Sequence, residues 1–505
     1  MKVSLISTDD FSGSLGIRSI SSFLKMRGHD VKVIFMVPYE RVDYSMPLLS
    51  PEILRQLADL VADTEVIGIS SMVFEVGTCI SIIDHLKKIN RPIVWGGIHA
   101  TSCPEECIKH ADIVCIGEGE EAFCELVEAI EKKEDYSGIR NFWFKKNGQI
   151  IKNPVRPLLQ ELDSLPIPDY IPDSHFIREG ALIVSAGAWY RRMNRVLIHS
   201  TRGCPNTCAY CINSFLTDIY SGKGKLMRSR SIGTIINELS YYKDILPNLK
   251  SVFFTDDTMF ARRLDELSLF AKEYKEKIGL PFVCYTSPNT CQEDKLKALL
   301  AGGLNRLQMG IQTGSERINR EIYERNIPNK SVIRSAGIIN KYMAQMSPPD
   351  YHIIFCNPYE TNQDITETIS LLKNLPAPFI LAAFQLVLFP SSKLCKRAER
   401  DGFLDGDSLF NFCNYTKVLV FNSRQRYLNF ILYLMNGKAS KLMLGSIPRF
   451  MIDFLINKMV VGYFEVHKLQ LSVLMGLARL LSGIRDFVTG KIALLKQKCK
   501  SFIIK

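Results

Sequence analysis

The segment RGCPNTCAYCINS, residues 202–214, is the strongest indication of the fold, because it places three cysteines on one short loop directly after a strand-like segment. Cys204, Cys208 and Cys211 form the spacing C-x3-C-x2-C. Three such thiolates can hold three irons of a cubane cluster and leave the fourth iron open to a small molecule. A structural zinc ion needs four nitrogen or sulfur ligands, and the nearest candidate for a fourth is His199 in the preceding strand. The spacing therefore favours an iron–sulfur cluster over zinc.

Short apolar strand patterns alternate with helix-length segments around and after this loop. The predicted strands are Val196 to His199, Ser251 to Thr255, Phe282 to Thr286, Arg306 to Gly310, Tyr351 to Phe355 and Phe384 to Leu388. Six successive βα units predict a partial (β/α)6 barrel with its chemistry at the carboxyl ends of the strands. We place this barrel at residues 191–400.

Residues 1–140 show a similar alternation, which predicts a doubly wound, Rossmann-like α/β domain. The predicted strands are Lys2 to Ser7, Val31 to Met36, Val66 to Ser70, Ile93 to Trp95 and Ile113 to Ile116. They are short, apolar and largely β-branched, as in a parallel sheet covered on both faces. Ligands of such a sheet bind beyond the carboxyl ends of the strands, where this chain has the loops STDDFSGSLG, SSMV, GGIHAT and GEGE. The first loop lacks G-x-G-x-x-G, which argues against a nicotinamide dinucleotide.

Two further regions differ from these domains in composition. Residues 141–190 carry prolines at 154, 157, 166, 168 and 172, which predicts a connector. Residues 401–505 form a basic, apolar region that we expect to be mainly helical. From residue 421 onward the chain has 14 Lys and Arg against three acidic residues, which accounts for the whole formal charge of +11.

The basic region has two interpretations that the sequence leaves open. None of its apolar runs reaches the roughly 18 residues of a spanning helix. Half-apolar, half-cationic helices can lie on an anionic membrane, or they can form a cap packed on the barrel. Because the region has no recognition motif, the pattern does not favour nucleic-acid binding.

The cysteines and the amino-terminal sequence indicate the compartment. Fourteen cysteines are spread over the chain, and its first residues lead directly into a strand rather than a secretory leader. We therefore expect a cytoplasmic protein, with peripheral contact at the inner membrane face as the further interpretation. Cys103 and Cys107 share a loop without a third ligand, so we expect two ordinary thiols, although the sequence does not exclude an auxiliary cluster.

With Tyr210 before its last cysteine, the C-x3-C-x2-C loop resembles the signature of the radical S-adenosylmethionine (SAM) superfamily, over roughly residues 191–400. The resemblance implies a [4Fe-4S] cluster held by the three cysteines, whose open iron binds SAM. It also implies one-electron cleavage of SAM to a 5′-deoxyadenosyl radical that removes a hydrogen atom from an unactivated carbon.

Further barrel segments resemble the parts of the superfamily that contact SAM. The implied contacts are Tyr210 in the loop, Asp256 and Asp257 in FTDDT, Gln312 and Ser315 in MGIQTGS, and Arg325. The alternative for the two aspartates is a solvated loop or a helix cap. The segment IIFCNPYET departs from the pattern, since Cys356, Asn357 and Tyr359 stand where relatives often have Gly-x-Pro-Gly.

Residues 1–400 as a whole resemble the cobalamin-dependent radical SAM enzymes, because the segments GGIHAT and GEGEEAF are typical of their cobalamin-binding domain. The implied cobalamin contacts are Leu15, Gly16, Ser71, Gly96, Gly97, His99, Thr101, Gly117, Glu118 and Gly119. The chain has no D-x-H-x-x-G loop to supply an axial imidazole. We therefore expect His99 to line the pocket or cap a helix rather than to ligate cobalt.

The resemblance implies a radical C-methyltransferase that takes its methyl group from methylcobalamin. An oxidative cyclase or rearrangement enzyme with the same cofactors is the near alternative, and a non-catalytic corrinoid-binding or electron-carrying protein is the alternative of another class. The expected partners are an external one-electron reductant and a small-molecule substrate. The apolar tail favours a lipid or isoprenoid-like substrate.

Overall fold

The computed structural model describes residues 1–37, 49–146, 148–404, 425–435, 449–467 and 470. Its amino-terminal part is a nine-stranded sheet with helices on both faces. The strands are β1 Lys2–Asp10, β2 Asp30–Val37, β3 Val66–Ser70, β4 Ile93–Gly96, β5 Ile113–Cys115, β6 Phe142–Lys146, β7 Gln149–Lys152, β8 His175–Glu179 and β9 Leu182–Ser185. The helices are α1 Leu15–Met26, α2 Pro51–Leu60, α3 Val76–Leu86, α4 Ile98–Ser102, α5 Pro104–His110, α6 Glu120–Lys132 and α7 Gly187–Arg192.

The strand order is β7-β6-β5-β4-β3-β1-β2-β8-β9. The six neighbouring strands β5, β4, β3, β1, β2 and β8 run parallel to one another. Successive side chains of a strand point to opposite faces. On β1, Leu5 packs into one core with α1 and α6, and Ile6 packs into another with α2, α3 and α5. This arrangement confirms the doubly wound domain that the sequence predicts.

The proline-containing segment is more structured than a connector. It supplies the hairpin β6–β7, which pairs antiparallel with β5, and the hairpin β8–β9 at the other edge. Asp169, which is buried, ties it to α1 by accepting hydrogen bonds from Ser21 Oγ at 2.6 Å and holding Lys25 Nζ at 2.6 Å. Antiparallel hairpins are short additions that cover the open edges of a parallel sheet.

The second part is the partial barrel. Its strands are β10 Arg195–Ile198, β11 Thr201–Arg202, β12 Arg228–Ser229, β13 Ser251–Phe254, β14 Phe282–Thr286, β15 Leu304–Gln312, β16 Asp350–Phe355 and β17 Ile380–Gln385. The helices are α8 Ile212–Ile219, α9 Ile232–Ile245, α10 Leu264–Lys277, α11 Glu293–Gly302, α12 Asn329–Lys341, α13 Asn362–Asn374 and α14 Lys393–Arg400. The barrel sheet has the order β10-β13-β14-β15-β16-β17 and is parallel throughout, which confirms the predicted six-stranded barrel.

The last strand was predicted to begin four residues too late and to end three residues too late. It starts at Ile380, which pairs with Asp350 of β16, and it ends at Gln385, which pairs with Phe355. The apolar run continues beyond this point to Phe389, so hydrophobicity alone does not mark the end of the strand. Pairing with β16 sets the bounds, and pairing is a property of the folded sheet.

Three helices are described in the carboxyl-terminal region: α15 Arg426–Leu434, α16 Arg449–Leu455 and α17 Lys458–Val466. Helix α15 closes the loop after β16, where Asn429 Oδ1 accepts a hydrogen bond from Cys356 N at 3.0 Å. These helices confirm the predicted helical character for the part of the region that is described. The remainder of the predicted tail lies outside the described residues. No helix among those described has the length and apolar character needed to cross a membrane.

Candidate functional site

The three cysteines lie on the loop between β11 and α8, and neighbouring segments hold this loop from several sides. Gly203 has φ +88°, and a Cβ there would lie 2.3 Å from the carbonyl oxygen of Leu226, so the turn requires glycine. Ala209 in the centre of the loop donates its N–H to Tyr323 O at 2.8 Å and accepts from Leu394 N at 2.8 Å. The Tyr210 ring packs edge-on against Tyr323, with 4.8 Å between ring centroids. Contacts with the barrel therefore hold the loop in place.

The three loop sulfurs do not form a compact site for a single ion. Among the described residues, the metal-ligating atoms that all lie within 4.8 Å of one another belong to His29, Cys124 and Glu128, and the three loop sulfurs do not form such a group. The sulfurs of one tetrahedral zinc ion lie about 3.8 Å apart, given Zn–S bonds of about 2.3 Å. The loop is therefore not arranged around one zinc ion.

Burial also affects the thiols of this loop. It raises the pKa of the Cys204 thiol to about 11 and that of Cys211 to about 12, and the nearby Asp257 carboxylate adds to both shifts. Asp257 itself is an exposed residue, but the surrounding protein desolvates its carboxyl group and so raises the pKa of that group. Formation of thiolates here therefore needs a positive charge, which bound iron supplies.

The two predicted aspartates have different surroundings. Asp256 is buried and accepts hydrogen bonds from the backbone N–H groups of Ser200 at 2.6 Å and Thr201 at 2.7 Å. Its carboxylate therefore holds the turn between β10 and β11. Asp257 instead faces the central cavity and accepts a hydrogen bond from Asn213 Nδ2 at 3.2 Å. Of the pair, Asp257 is the one that borders open space.

The predicted residues on and after β15 are bonded mainly within the protein. Arg325 donates to the carbonyl oxygens of Ile311 at 2.8 Å and Gly310 at 2.6 Å, so it caps the carboxyl end of β15. Ser315 Oγ donates to Asp364 at 2.5 Å. Gln312 ends β15 with φ +74°, a backbone conformation that turns the chain sharply at the barrel mouth. These residues therefore shape the barrel mouth by holding its backbone segments in place.

A cavity of about 500 Å³ lies between the carboxyl edge of the amino-terminal sheet and the barrel mouth. The predicted cobalamin contacts that line it are Leu15, Gly16, Gly96, Gly97, Thr101, Gly117, Glu118 and Gly119. From the barrel side it is lined by His199, Arg202, Asn213 and Asp257, among others. It extends along the face of the sheet that α1 and α6 cover, as far as Gly68, where a Cβ would lie 2.8 Å from Leu5 Cδ2 and 2.9 Å from Phe123. One space therefore adjoins both predicted cofactor regions.

Two predicted cobalamin contacts, Ser71 and His99, lie outside the described lining of this cavity. Ser71 Oγ accepts a hydrogen bond from Trp95 Nε1 at 2.9 Å. His99 is buried at the start of α4 against the Trp95 ring, with 5.8 Å between centroids, and burial lowers its pKa to about 4. These buried positions could not be separated from the lining ones in advance, because the fold alone defines which residues of a loop face the core and which face the cavity.

Sequence reasoning missed an ion-pair clamp between the two domains. Arg202 binds Glu120 at 2.6 Å and Glu118 at 3.4 Å, and Arg228 binds Glu118 at 2.5 Å. Burial alone would raise the pKa of Glu120, but the Arg202 guanidinium lowers it below its usual value. Tyr220 Oη accepts a hydrogen bond from Glu118 N at 2.9 Å. The only sequence signal was the acidic GEGE loop, whose basic partners are about 80 to 110 positions away.

Comparisons with known proteins agree with this architecture. The radical SAM superfamily model matches residues 198–372, and the B12 binding domain model matches residues 1–127. The "uncharacterized methyltransferase PH0819" of Pyrococcus horikoshii is 27% identical over 416 residues, which span 80% of this chain and 82% of that protein. The cobalamin-dependent radical SAM methyltransferase TokK of Streptomyces tokunonensis is 23% identical over 175 residues, 34% of this chain and 25% of TokK.

A solved structure of the radical SAM methyltransferase TsrM from Kitasatospora setae, with tryptophan substrate and a SAM analogue bound, has the same fold. Its TM-score is 0.63 at 16% identity, with 79% of this chain and 76% of TsrM covered. Both domain types thus occur here in the same chain. The protein belongs to the cobalamin-dependent radical SAM enzymes, and its cofactors are a [4Fe-4S] cluster, SAM and cobalamin.

Proposed function

We propose that this enzyme transfers a methyl group to an unactivated carbon of a small molecule. The observation that carries the proposal is the shared cavity, which is lined by Gly96, Gly117 and Glu118 of the amino-terminal domain and by Asn213 and Asp257 beside the cysteine loop. A substrate at this junction would be close to both cofactor regions. When bound, the cluster and SAM supply a carbon-centred radical on the nucleoside, and cobalamin supplies the methyl group.

We assign the cluster to Cys204, Cys208 and Cys211. The C-x3-C-x2-C sequence, sulfurs that are not gathered around a single ion, and a loop anchored through Ala209 support this assignment. Asp257 is the proposed contact for the nucleoside or the amino group of SAM, because its carboxylate borders the cavity whereas that of Asp256 is bonded to the backbone. We propose that four residues support the wall of the SAM pocket: Tyr210, Gln312, Ser315 and Arg325.

We propose that the amino-terminal loops let the protein backbone approach cobalamin closely. Gly16, Gly96 and Gly119 have no side chain beyond Cα and border the cavity, so the backbone can lie against a bulky corrin ring. His99 is proposed not to ligate cobalt, because its ring lies in the core against Trp95. A cobalt without a protein imidazole would suit homolytic transfer of the methyl group. The amino-terminal domain would hold cobalamin in position and exclude water from it.

The near alternative is an oxidative cyclase or rearrangement enzyme with the same cofactors. Some relatives carry that description, such as the anaerobic magnesium-protoporphyrin IX monomethyl ester cyclase of Synechocystis, which is 25% identical over 202 residues. SAM with a deuterated methyl group separates the two reactions. Methyl transfer delivers the label to the product, whereas cyclisation leaves the product unlabelled.

The radical step has its own test. The reconstituted protein, reduced with dithionite, should convert SAM to 5′-deoxyadenosine, and Cys208→Ala should abolish this product. Cys103→Ala is the matched control, since Cys103 is a half-buried thiol outside the loop. Deoxyadenosine formation by Cys208→Ala at the wild-type rate would refute the assignment, and so would zinc in place of iron in the purified protein. Because the assay uses a chemical reductant, it also fits the proposal that an external one-electron donor serves the enzyme.

We also propose peripheral membrane contact through α16 and α17. Phe450, Phe454, Met459 and Val466 are 70%, 66%, 84% and 76% exposed, which is an unusual density of exposed apolar side chains. The excess of basic residues after position 421 favours an anionic lipid surface over a protein partner. The full chain should sediment with phosphatidylglycerol vesicles, and Phe450→Glu/Met459→Glu should reduce this binding. Equal binding of the variant would overturn the proposal.

A further inference from the structure

The barrel contains two separate sets of aromatic side chains. One set points outward from the strands into the helical layer: Phe254 and Phe282 pack on Phe270 and Tyr274 of α10, and all four are buried. Because strand side chains alternate, the residue that follows or precedes such a position on the same strand faces the barrel interior. The outward set accounts for packing and leaves the inward set without a structural role.

The inward set forms an aromatic arc across four strands, made of Phe253 on β13, Tyr285 on β14, His352 on β16 and Phe384 on β17. The ring centroids are 5.3 Å apart for Phe253 and Tyr285, 6.1 Å for Tyr285 and His352, and 5.2 Å for His352 and Phe384. Phe384 is 51% exposed. An outward aromatic of this size would be buried, so the exposed ring faces a space rather than the core.

The strand between the two halves of the arc carries a glycine. Gly310 of β15 pairs with His352 of β16, so the backbone of β15 lies between Tyr285 and His352 without a side chain. A Cβ at Gly310 would lie 2.6 Å from Gln312 Nε2. The Gln312 amide therefore covers the inward side of Gly310, and the Tyr285 and His352 rings lie edge-on to each other across β15. The arc also continues from the cavity, because Thr255, two residues after Phe253, is one of its lining residues.

Below the arc is a polar floor without net charge. Arg306 Nη2 binds Asp350 Oδ1 at 2.5 Å, and Gln308 Nε2 donates to Asp350 Oδ2 at 3.3 Å. The register places Gln308 level with Tyr285 and with Asp350. The guanidinium and carboxylate neutralise each other, so the floor offers hydrogen bonds but no free charge to a ligand. The Arg325 guanidinium also lies beside the arc, with Nη2 3.8 Å from the Cβ position of Gly310, and it donates to the carbonyl oxygens of Ile311 and Gly310.

We propose that the aromatic arc is the substrate-binding surface and that it selects a molecule with a planar, conjugated ring system. This inference rests on the proposed function and specifies its substrate class. The arc offers ring faces and edges across four strands, and a further ring that packs on this surface gains aromatic contacts in addition to apolar burial.

Equilibrium dialysis of the cluster- and cobalamin-loaded protein tests the proposal with two probes. The probes are 2-naphthol, which is flat and aromatic, and decahydro-2-naphthol, its saturated counterpart with the same hydroxyl group. We expect 2-naphthol to bind at least about fivefold more tightly. Phe384→Ala should weaken 2-naphthol binding by about fivefold or more, and Leu269→Ala, which removes a side chain that is 50% exposed on the outside of α10, should leave it unchanged.

Several outcomes would overturn the inference. Equal or tighter binding of the saturated probe would assign the aromatic arc to an aliphatic lipid instead. Equal affinity of Phe384→Ala and wild type would show that the probe binds elsewhere, and Phe253→Leu provides a second check from the opposite end of the arc. Because dialysis needs no turnover, a protein that binds 2-naphthol through the arc but forms no deoxyadenosine would contradict the proposed function and not the binding surface.

Discussion

Replacement of Gly97 by alanine should destabilise the amino-terminal sheet, because the backbone there is open only to glycine. Gly97 caps the start of α4 with φ +91° and ψ −174°. A non-glycine residue in this region costs about 1–3 kcal/mol. The new Cβ would also lie 2.8 Å from Ser71 O and 2.9 Å from Ser71 N, so backbone atoms must move.

The movement would weaken the hydrogen bonds that hold this turn. Ser71 N donates to Gly96 O at 3.3 Å, and His99 N donates to Ser71 O at 3.3 Å. Loss of one such bond costs about 1 kcal/mol. With the backbone cost, the total is about 3 kcal/mol, which lowers the melting temperature of a domain of this size by about 6–12 °C.

Calorimetry of the full chain measures this change, and hydrogen exchange over residues 93–103 locates it. Gly16→Ala is the matched control: it borders the same cavity, lies in the first turn of α1 and has no atom within 4 Å of its Cβ position. Alanine is the better helix former, so the control should melt at or slightly above the wild-type temperature. If the melting temperatures of Gly97→Ala and Gly16→Ala differ by less than about 2 °C, the account of backbone strain is wrong.

Two further perturbations address the domain clamp and a buried acid. Arg202→Met leaves the buried carboxylate of Glu120 without its partner and should cost about 2–4 kcal/mol in urea unfolding; Arg202→Met/Glu120→Met should recover much of that loss, and equal stability of single and double variants would contradict it. Burial raises the pKa of Glu360 from 4.5 to about 8, so the folded protein keeps a proton that the unfolded chain releases. Stability should therefore fall as pH rises from 5 to 8 and fall less in Glu360→Gln; parallel urea profiles of the two proteins would refute this.

The pattern of apolar residues predicted most strands of both sheets well, because a strand is marked by residues that follow one another in the chain. Val66 to Ser70 and Phe282 to Thr286 were predicted with the bounds they have. The prediction failed at β17, where the apolar run extends beyond the strand and pairing with Asp350 sets its start. It also gave no sign that residues 142–152 and 175–185 join the sheet, since edge pairing depends on strands far away in sequence.

The candidate site was predictable to the extent that its residues are neighbours in the chain. Cys204, Cys208 and Cys211 could be selected by spacing alone. Asp256 and Asp257 could not be distinguished, because the difference between them is which side chain meets the turn at Ser200 and which meets the cavity. Arg228 could not be selected at all, since its partner Glu118 is 110 positions away.

The type of chemistry is evident from the chain alone, because the three cysteines lie close together at residues 204–211. The two domain types are evident as well, since strand and helix periods are local properties. The folded protein was needed to show which loop residues face the shared cavity, how Arg202 and Arg228 join the domains, and that Phe253 and Phe384 belong to one inward surface. These features depend on strand order and side-chain direction, which arise when distant segments pair and pack.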